Sequence, residues 1–187
     1  MNRDTAWTLL NEFTKSESLI KHALAVEASM RGAAGRLGAD PDQWALTGLL
    51  HDFDYERWPN PPDHTREGAL ILRERGVDEE IIGAILSHAE WNHADYPLDR
   101  PIRRALFAVD ELSGFVTAVA YVRPDRLRGM TAGSVKKKMK QKSFAAAVSR
   151  QDITRGAELL VRFLDDHIGD VIASLLTIET ELGLAIP

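Results

Sequence analysis

Histidine and aspartate side chains occur at three places in this chain where the neighbouring residues are apolar. His51 and Asp52 are adjacent at the end of an apolar stretch. His22 precedes them on an apolar helical face, and Asp110 follows inside a nearly all-apolar segment. Alone, the His-Asp pair is more typical of a helix end with a solvated aspartate. Because buried carboxylates are costly unless paired or bound to a metal, the full set predicts four ligands of types that Zn, Mn, Fe, Co or Ni accept.

The order of these residues, a histidine, a His-Asp pair and a distant aspartate, resembles that of the HD-domain superfamily of metal-dependent phosphohydrolases. The positions are His22, His51, Asp52 and Asp110, and the resemblance covers about residues 16–122. It implies a helical bundle of the HD-domain type in which these side chains hold a divalent ion. It also implies hydrolysis of a phosphoester or a nucleotide.

Two further histidines extend the resemblance to the HDIG-like subgroup, which holds a second metal ion. His64 and Gly68 have the His-x-x-x-Gly spacing of that subgroup, and His88 ends the sequence Ile-Leu-Ser-His. The resemblance implies that Asp52 bridges two ions and that His64 and His88 hold the second. The chain departs from the subgroup in having His-Asp-Phe-Asp-Tyr for His-Asp-Ile-Gly, and Ala89 in place of a frequent second histidine.

Each of the remaining histidine positions also has a simpler interpretation. His64 stands near a helix start, where a capping or surface histidine is common. His88 has isoleucines around it and could be a core histidine that donates to a backbone carbonyl. His93 has no partner in the motif and is predicted at a pocket rim or on the surface. His167 is adjacent to two aspartates and is predicted on a solvated face of the last helix.

Metal-assisted hydrolysis needs a carboxylate near the water that the ion binds, because that water must lose a proton. Asp52 belongs to the predicted catalytic set as the bridging ligand. Asp54, Glu56 and Glu111 are the candidate bases, and Asp54 is the best placed by sequence, two residues beyond Asp52. The alternative for Asp54 is a capping or solvated side chain.

A basic segment, residues 136–142, stands out against the acidic chain, whose formal net charge is −5 at pH 7. The functional interpretation is a contact to a substrate phosphate, and Lys137 and Lys140 are the candidates. The alternative is a solvated helix face that balances acidic surface elsewhere. RNA binding by this segment is less favoured because the segment lacks interleaved aromatic residues. The negative net charge of the chain also disfavours a nucleic-acid partner.

The length and composition restrict the classes of protein to which the chain can belong. Its 187 residues suit one domain, residues 1–187, with a motif core at about 16–122 and C-terminal helices at 124–187 that complete the bundle. The chain has no cysteine, which excludes disulfides, zinc ribbons and thiol nucleophiles. It has neither a membrane-spanning apolar run nor a signal-peptide pattern, so we expect a cytoplasmic location.

Apolar residues recur at helical spacing nearly everywhere, which predicts an all-α fold. The predicted helices cover residues 3–13, 16–36, 41–53, 65–75, 78–90, 102–121 and 153–182. The segment 102–121 is apolar on most sides and is predicted to be the buried central helix. The segment 58–63 is predicted to be a loop because it is rich in proline.

The sequence leaves more than one function open. A hydrolase acting on a small phosphorylated molecule with one or two divalent ions, drawn from Mn, Fe, Zn, Co, Ni and Mg, is the main hypothesis. Some HD-domain members with six such ligands hold a di-iron centre and are oxygenases, so that chemistry is the alternative. A non-catalytic module that senses a nucleotide is a third hypothesis, which the apparently complete ligand set disfavours. The oligomeric state is left open.

Overall fold

The computed structural model describes residues 1–186, so Pro187, the last residue of the predicted domain, lies outside the described residues. This part of the chain forms nine α-helices and no β-strand, which confirms the all-α prediction. The helices are α1 Arg3–Phe13, α2 Glu17–Leu37, α3 Pro41–Leu50, α4 Asp63–Glu74, α5 Glu79–His88, α6 Pro101–Tyr121, α7 Ala132–Met139, α8 Arg150–Leu159 and α9 Leu164–Leu176. Among them, none has both the length and the apolar character that a membrane crossing requires.

Several helix starts lie where local side-chain chemistry places them. Asp40 accepts hydrogen bonds from the first backbone amides of α3, and Pro41 occupies the first helical position. Asp78 does the same for α5 by accepting from the amide of Glu80. Capping aspartates satisfy amides that have no partner within the helix. These starts therefore agree with the predicted boundaries within one residue.

The helices enclose two apolar clusters, and α6 runs through the larger one. That cluster packs α6 against α2, α8 and α9. The smaller cluster joins α1, α3, α4 and α5. Helix α3 lies so close to α2 that a Cβ atom on Gly48 would come within 2.7 Å of the carbonyl oxygen of Val26. This close approach fixes the C-terminal end of α3, where His51 follows, against α2.

The predicted single helix over residues 153–182 is wrong in extent, because the chain breaks into α8 and α9. Val161 adopts a φ of 54°, and both Val161 and Phe163 are exposed between the two helices. A straight helix of that length would extend about 45 Å and could not lay both halves on α6. The break lets Ile153 of α8 and Ile168 of α9 both enter the larger cluster. Phe163 lies in the break and does not join the cluster.

The basic segment contributes a helix that the sequence did not predict. Thr131 and Ser134 form a reciprocal capping box at the start of α7. Val135 is the buried residue of that helix, and Lys136 pairs with Asp165 at the start of α9. Ala132 and Met139 of the same helix are partly buried and pack against the larger cluster, so α7 is attached to the bundle by several apolar side chains and one ion pair.

Candidate metal centre

The carboxylate of Asp52 lies at the centre of a cluster of imidazole rings. Its Oδ1 is 3.3 Å from Nε2 of His64 and 3.3 Å from Nε2 of His88. Its Oδ2 is 3.4 Å from Nε2 of His51 and 3.9 Å from Nε2 of His22. The two oxygens of one carboxylate thus face different pairs of histidines.

The second aspartate of the motif lies on one side of this cluster. Asp110 Oδ1 is 3.0 Å from His22 Nε2 and 3.4 Å from His51 Nε2. We call His22, His51 and Asp110 the first group, and His64 and His88 the second group; Asp52 is shared. With Asp52, the histidines of each group bring their possible ligand atoms within 4.8 Å of one another, as a metal ion requires.

The side chains of the first group fit a divalent ion. His51 Nε2 is fully buried and makes no hydrogen bond, although two carboxylate oxygens lie 3.4 Å away. A buried polar atom with no partner is costly, so the position calls for a ligand. Bonds of about 2.1 Å to one ion would place neighbouring ligand atoms about 3.0–3.4 Å apart, which matches these separations.

Three of the histidines have their ring orientation fixed by a hydrogen bond from Nδ1. His51 Nδ1 donates to the carbonyl of Gly48 at 2.8 Å, and His88 Nδ1 donates to the carbonyl of Ile85 at 2.6 Å. His64 Nδ1 donates to a carboxylate at 3.0 Å. Such bonds leave the Nε2 lone pair free to bind a metal and raise its basicity. His88 therefore does donate to a backbone carbonyl, as a core histidine would. Its other nitrogen, Nε2, nevertheless faces Asp52.

The carboxylate that orients His64 belongs to Asp54. Asp54 is buried, and its oxygens accept hydrogen bonds from His64 Nδ1 and from the backbone amides of Thr65 and Gly68. A Cβ atom on Gly68 would lie 2.7 Å from Asp54 Oδ2, so the absence of a side chain at Gly68 leaves room for this carboxylate. With both oxygens engaged, Asp54 does not suit the role of a base in the cavity. The geometry is that of a residue that positions His64.

The backbone at the start of α4 is distorted where these residues meet. His64 and Thr65 have non-helical backbone angles, and Thr65 has a φ of 69°. A β-branched residue in this left-handed region is strained by roughly 1–3 kcal/mol. The hydrogen bond from the Thr65 amide to Asp54 and the one that Thr65 Oγ1 accepts from Asn92 hold it there. The distortion turns His64 Nε2 toward Asp52.

The charges of the cluster favour a cation. Burial alone would raise the pKa of Asp52 and Asp110, but the charge of His51 and the hydrogen bonds from the histidines hold both well below the usual range. Burial would lower the pKa of His51 and His64, yet the two facing carboxylates raise that of His51 well above its ordinary value. Hydrogen bonds to Asp52 and Asp54 raise the pKa of His64 to about 9. A site that stabilises protons so strongly also stabilises a divalent ion.

The cluster opens into a cavity of about 790 Å³. Glu111 lines this cavity beside Asp110, and one of its oxygens accepts from the amide of Ser149 at 3.1 Å. Burial, with the neighbouring charge of Asp110, raises the pKa of Glu111 to about 7. A carboxyl group whose pKa is close to 7 can both accept and donate a proton at physiological pH.

The cation that lines this cavity is not one that the sequence indicated. Lys137 and Lys140 are exposed on and beside α7 and do not line it. Arg155 of α8 is the one lysine or arginine among the described residues that do. Its guanidinium lies 5.2 Å from the ring of Phe107. Arg155 is therefore better placed than Lys137 or Lys140 to contact a phosphate in the cavity.

The other carboxylate and histidine predictions have mixed outcomes. Glu56 lies outside the cavity, where it accepts from the amides of Lys15 and Ser16. His93 lines the cavity, with Nε2 donating to the carbonyl of Ser87. The prediction for His167 is wrong, since the side chain is buried and donates from Nε2 to the Ala108 carbonyl on α6.

Tyr55, Trp91 and Arg155 are among the lining residues that sequence reasoning did not single out. Tyr55 directly follows the motif and Trp91 closely follows His88, so aromatic residues next to motif histidines were the available signal. No comparable signal marks Arg155, because its position depends on the packing of α8 against α6.

Known proteins are similar to this chain in sequence and in fold. Ribonuclease Y of Thermotoga petrophila and that of Thermotoga maritima are each 29% identical over 171 residues, which is 87% of this chain and 31% of the relative. The chain thus spans about a third of the length of these curated relatives. The HD domain of the L. monocytogenes phosphodiesterase PgpH, solved in complex with cyclic-di-AMP, matches with a TM-score of 0.51 and 16% identity over 92% of this chain and 96% of that one.

The family model described as the HD domain matches residues 19–130. This range includes every member of the first and second groups. The match extends over more than half of the 187 residues. The chain therefore belongs to the HD-domain family.

Proposed function

We propose that this protein is a metal-dependent phosphohydrolase that cleaves a phosphoester in a small, nucleotide-like substrate. The observation that carries the proposal is the carboxylate of Asp52, whose two oxygens face two separate pairs of histidines at an open cavity. Ribonuclease Y and the phosphodiesterase PgpH both act on phosphodiesters according to their names, and they support the choice of reaction.

In this proposal the two groups have separate tasks. His22, His51, Asp52 and Asp110 would hold one divalent ion, and Asp52 with the second group would hold another. A divalent ion bound there supplies a water of lowered pKa and neutralises charge on a phosphoryl oxygen. Glu111 stands beside the first group and would exchange the proton with the water or the leaving group.

The charge of the cavity restricts how a phosphate could enter. Five carboxylates line it, and the arginine of α8 is the one permanent cation among the described lining residues. The carboxylates are Asp52, Glu90, Asp110, Glu111 and Asp152. An anionic substrate would be repelled by this set unless bound ions offset the charge, so substrate binding is expected to depend on metal. Arg155 would then contact phosphate oxygens through its planar N–H donors.

Metal analysis combined with a substrate screen tests the proposal. The full chain is purified without chelators, its metal content is measured, and the chelated protein is reloaded with Mn, Fe, Zn, Co, Ni or Mg in turn. Phosphoester cleavage is followed with nucleotides, cyclic dinucleotides and aryl phosphate esters. The matched variants are Asp52→Ala and, as a control, Asp125→Ala, whose side chain is exposed on a loop.

Cleavage by the wild type and the control, with none by Asp52→Ala, supports the proposal. Iron content with oxygen consumption and no phosphoester cleavage would instead favour the di-iron oxygenase alternative. Nucleotide binding without turnover under every metal would favour a sensing module. Either result would overturn the proposal that the protein is a phosphohydrolase.

A further inference from the structure

Two exposed aromatic side chains stand at the second group. The ring centroid of Tyr55 lies 5.1 Å from that of His64, and the ring centroid of Trp91 lies 6.0 Å from it, both nearly edge-on. Both aromatic residues line the cavity. Tyr55 is 39% exposed and Trp91 is 41% exposed, so each presents a large apolar surface to the cavity or its mouth.

Hydrogen bonds hold the chain segments that carry both rings. Trp91 lies in a short 3₁₀ turn, Glu90–Asn92, and the side chain of Asn92 donates to Thr65 Oγ1 at 2.8 Å and to the Leu86 carbonyl at 3.0 Å. The amide of Tyr55 donates to the carbonyl of Asp52 at 3.0 Å. Both aromatic residues thus lie on segments that are held to those carrying the proposed metal ligands. A ligand that stacked on them would lose little entropy by ordering these segments.

We propose that Tyr55 and Trp91 form a stacking subsite for the nucleobase of the substrate, next to the phosphoester at the metal centre. This inference rests on the proposed function and narrows its substrate to compounds that carry a base. Planar bases stack on exposed aromatic rings with little dependence on base identity. A cavity of about 790 Å³ has the size of sites that bind nucleotide-sized molecules.

The charge beside Trp91 favours a nucleobase over a plain aryl group. Glu90 precedes Trp91 and also lines the cavity. Its carboxylate is an acceptor for the amino group of adenine, guanine or cytosine. A sugar phosphate without a base would leave both the aromatic surface and this acceptor without a partner.

Steady-state kinetics with a matched pair of substrates test the subsite. The metal-loaded full chain is compared on adenosine 5′-monophosphate and on ribose 5-phosphate, which has the same phosphoester and no base. The variants are Tyr55→Leu and Trp91→Leu, with Phe163→Leu as the control because Phe163 is an exposed aromatic residue outside the cavity. We expect each subsite variant to raise the KM for adenosine monophosphate about tenfold. The KM for ribose 5-phosphate should rise much less, so the ratio of the two KM values reports the contribution of the base.

A binding measurement separates the subsite from turnover. Adenosine has the base but no phosphoester, so its calorimetric titration into the protein as purified reports the subsite alone. Weaker adenosine binding in both subsite variants and not in Phe163→Leu supports the proposal. Equal losses on both phosphate substrates, no change on adenosine monophosphate, or no adenosine binding to the wild type would overturn it. If adenosine binds as expected while no phosphoester is cleaved, the subsite stands and the phosphohydrolase fails.

Discussion

The two groups of the candidate metal centre share one carboxylate but differ in how tightly the fold holds them. In the first group, the side chains of His22 and Asp110 are 23% and 21% exposed, and they are hydrogen-bonded to each other. In the second group, the side chains of His64 and His88 are 6% and 8% exposed, and each donates from Nδ1 to a fixed acceptor. His51 is the buried and oriented member of the first group.

This difference indicates a division of labour. The second group has its orientation set by Asp54, by the strained Thr65 and by the end of α5, before any ligand is bound. The first group is open to the cavity on the side where Glu111 lies. We therefore expect the second group to bind its ion with little rearrangement. The first group should be the side at which water and substrate are exchanged.

The largest expected effect comes from the residue that both groups share. Asp52→Ala removes the acceptor that faces all four imidazoles, so metal content and activity should both be lost. Metal per chain after dialysis and phosphoester cleavage are the measurements, with Asp125→Ala as control. Full metal content in Asp52→Ala would refute the shared role.

Removing one histidine from the second group should separate the two ions. His64→Ala deletes one of two imidazoles there and leaves His22, His51 and Asp110 intact, so a metal titration should fall from two ions per chain to one. His22→Ala should weaken the other ion instead. A wild-type titration that saturates at one ion, with His64→Ala unchanged, would contradict the two-ion arrangement.

We expect proton transfer to depend on Glu111, beside the first group. Glu111→Gln keeps the shape of the side chain but cannot take a proton, so kcat should fall about 100-fold while metal content stays the same. Glu56→Gln is the matched control, because Glu56 lies outside the cavity and caps backbone amides. An unchanged kcat in Glu111→Gln, or a loss of metal with it, would exclude this role.

Substitution of Asp54, which orients His64, should weaken metal binding at the second group alone. Asp54→Asn places an amide where a carboxylate accepts from His64 Nδ1 and two backbone amides, so the affinity for the second ion should fall about 10- to 100-fold. Competition with a metal chelator measures both affinities. Equal weakening of both ions would show that Asp54 supports the whole fold and not one group.

His51, Asp52 and Asp110 could be proposed from the sequence because their residue types stand out locally, whereas His64 and His88 were proposed through the resemblance to the HDIG-like subgroup. His51 and Asp52 end an apolar helix, and Asp110 interrupts another, so each is conspicuous within its own segment. Helix starts such as Pro41 were equally local, since capping depends on adjacent residues. The fold class followed from the helical spacing of apolar residues for the same reason.

The errors concern residues whose role depends on distant parts of the chain. Asp54 was predicted to be the best-placed base, but the kink at Thr65 brings two backbone amides to its Oδ2. Arg155 reaches the cavity because α8 packs against α6, and no residue next to Arg155 in the sequence indicates that contact. His167 has aspartates beside it in sequence, yet its helix face turns it onto α6.

His167 extends the comparison to a buried histidine with no carboxylate in hydrogen-bond contact. Burial lowers the pKa of His167 below its ordinary value, whereas carboxylates raise that of His51 and His64. The unfolded chain therefore binds a proton at this residue more readily, and stability should fall as pH drops below about 6.5, by at most about 1.4 kcal/mol per pH unit. His167→Gln, which can still donate to the Ala108 carbonyl, should lose less stability than the wild type between pH 7.5 and 5.5 in urea unfolding. Because the candidate metal-binding residues are the same in both proteins, identical pH dependence would show that His167 does not titrate differently on folding.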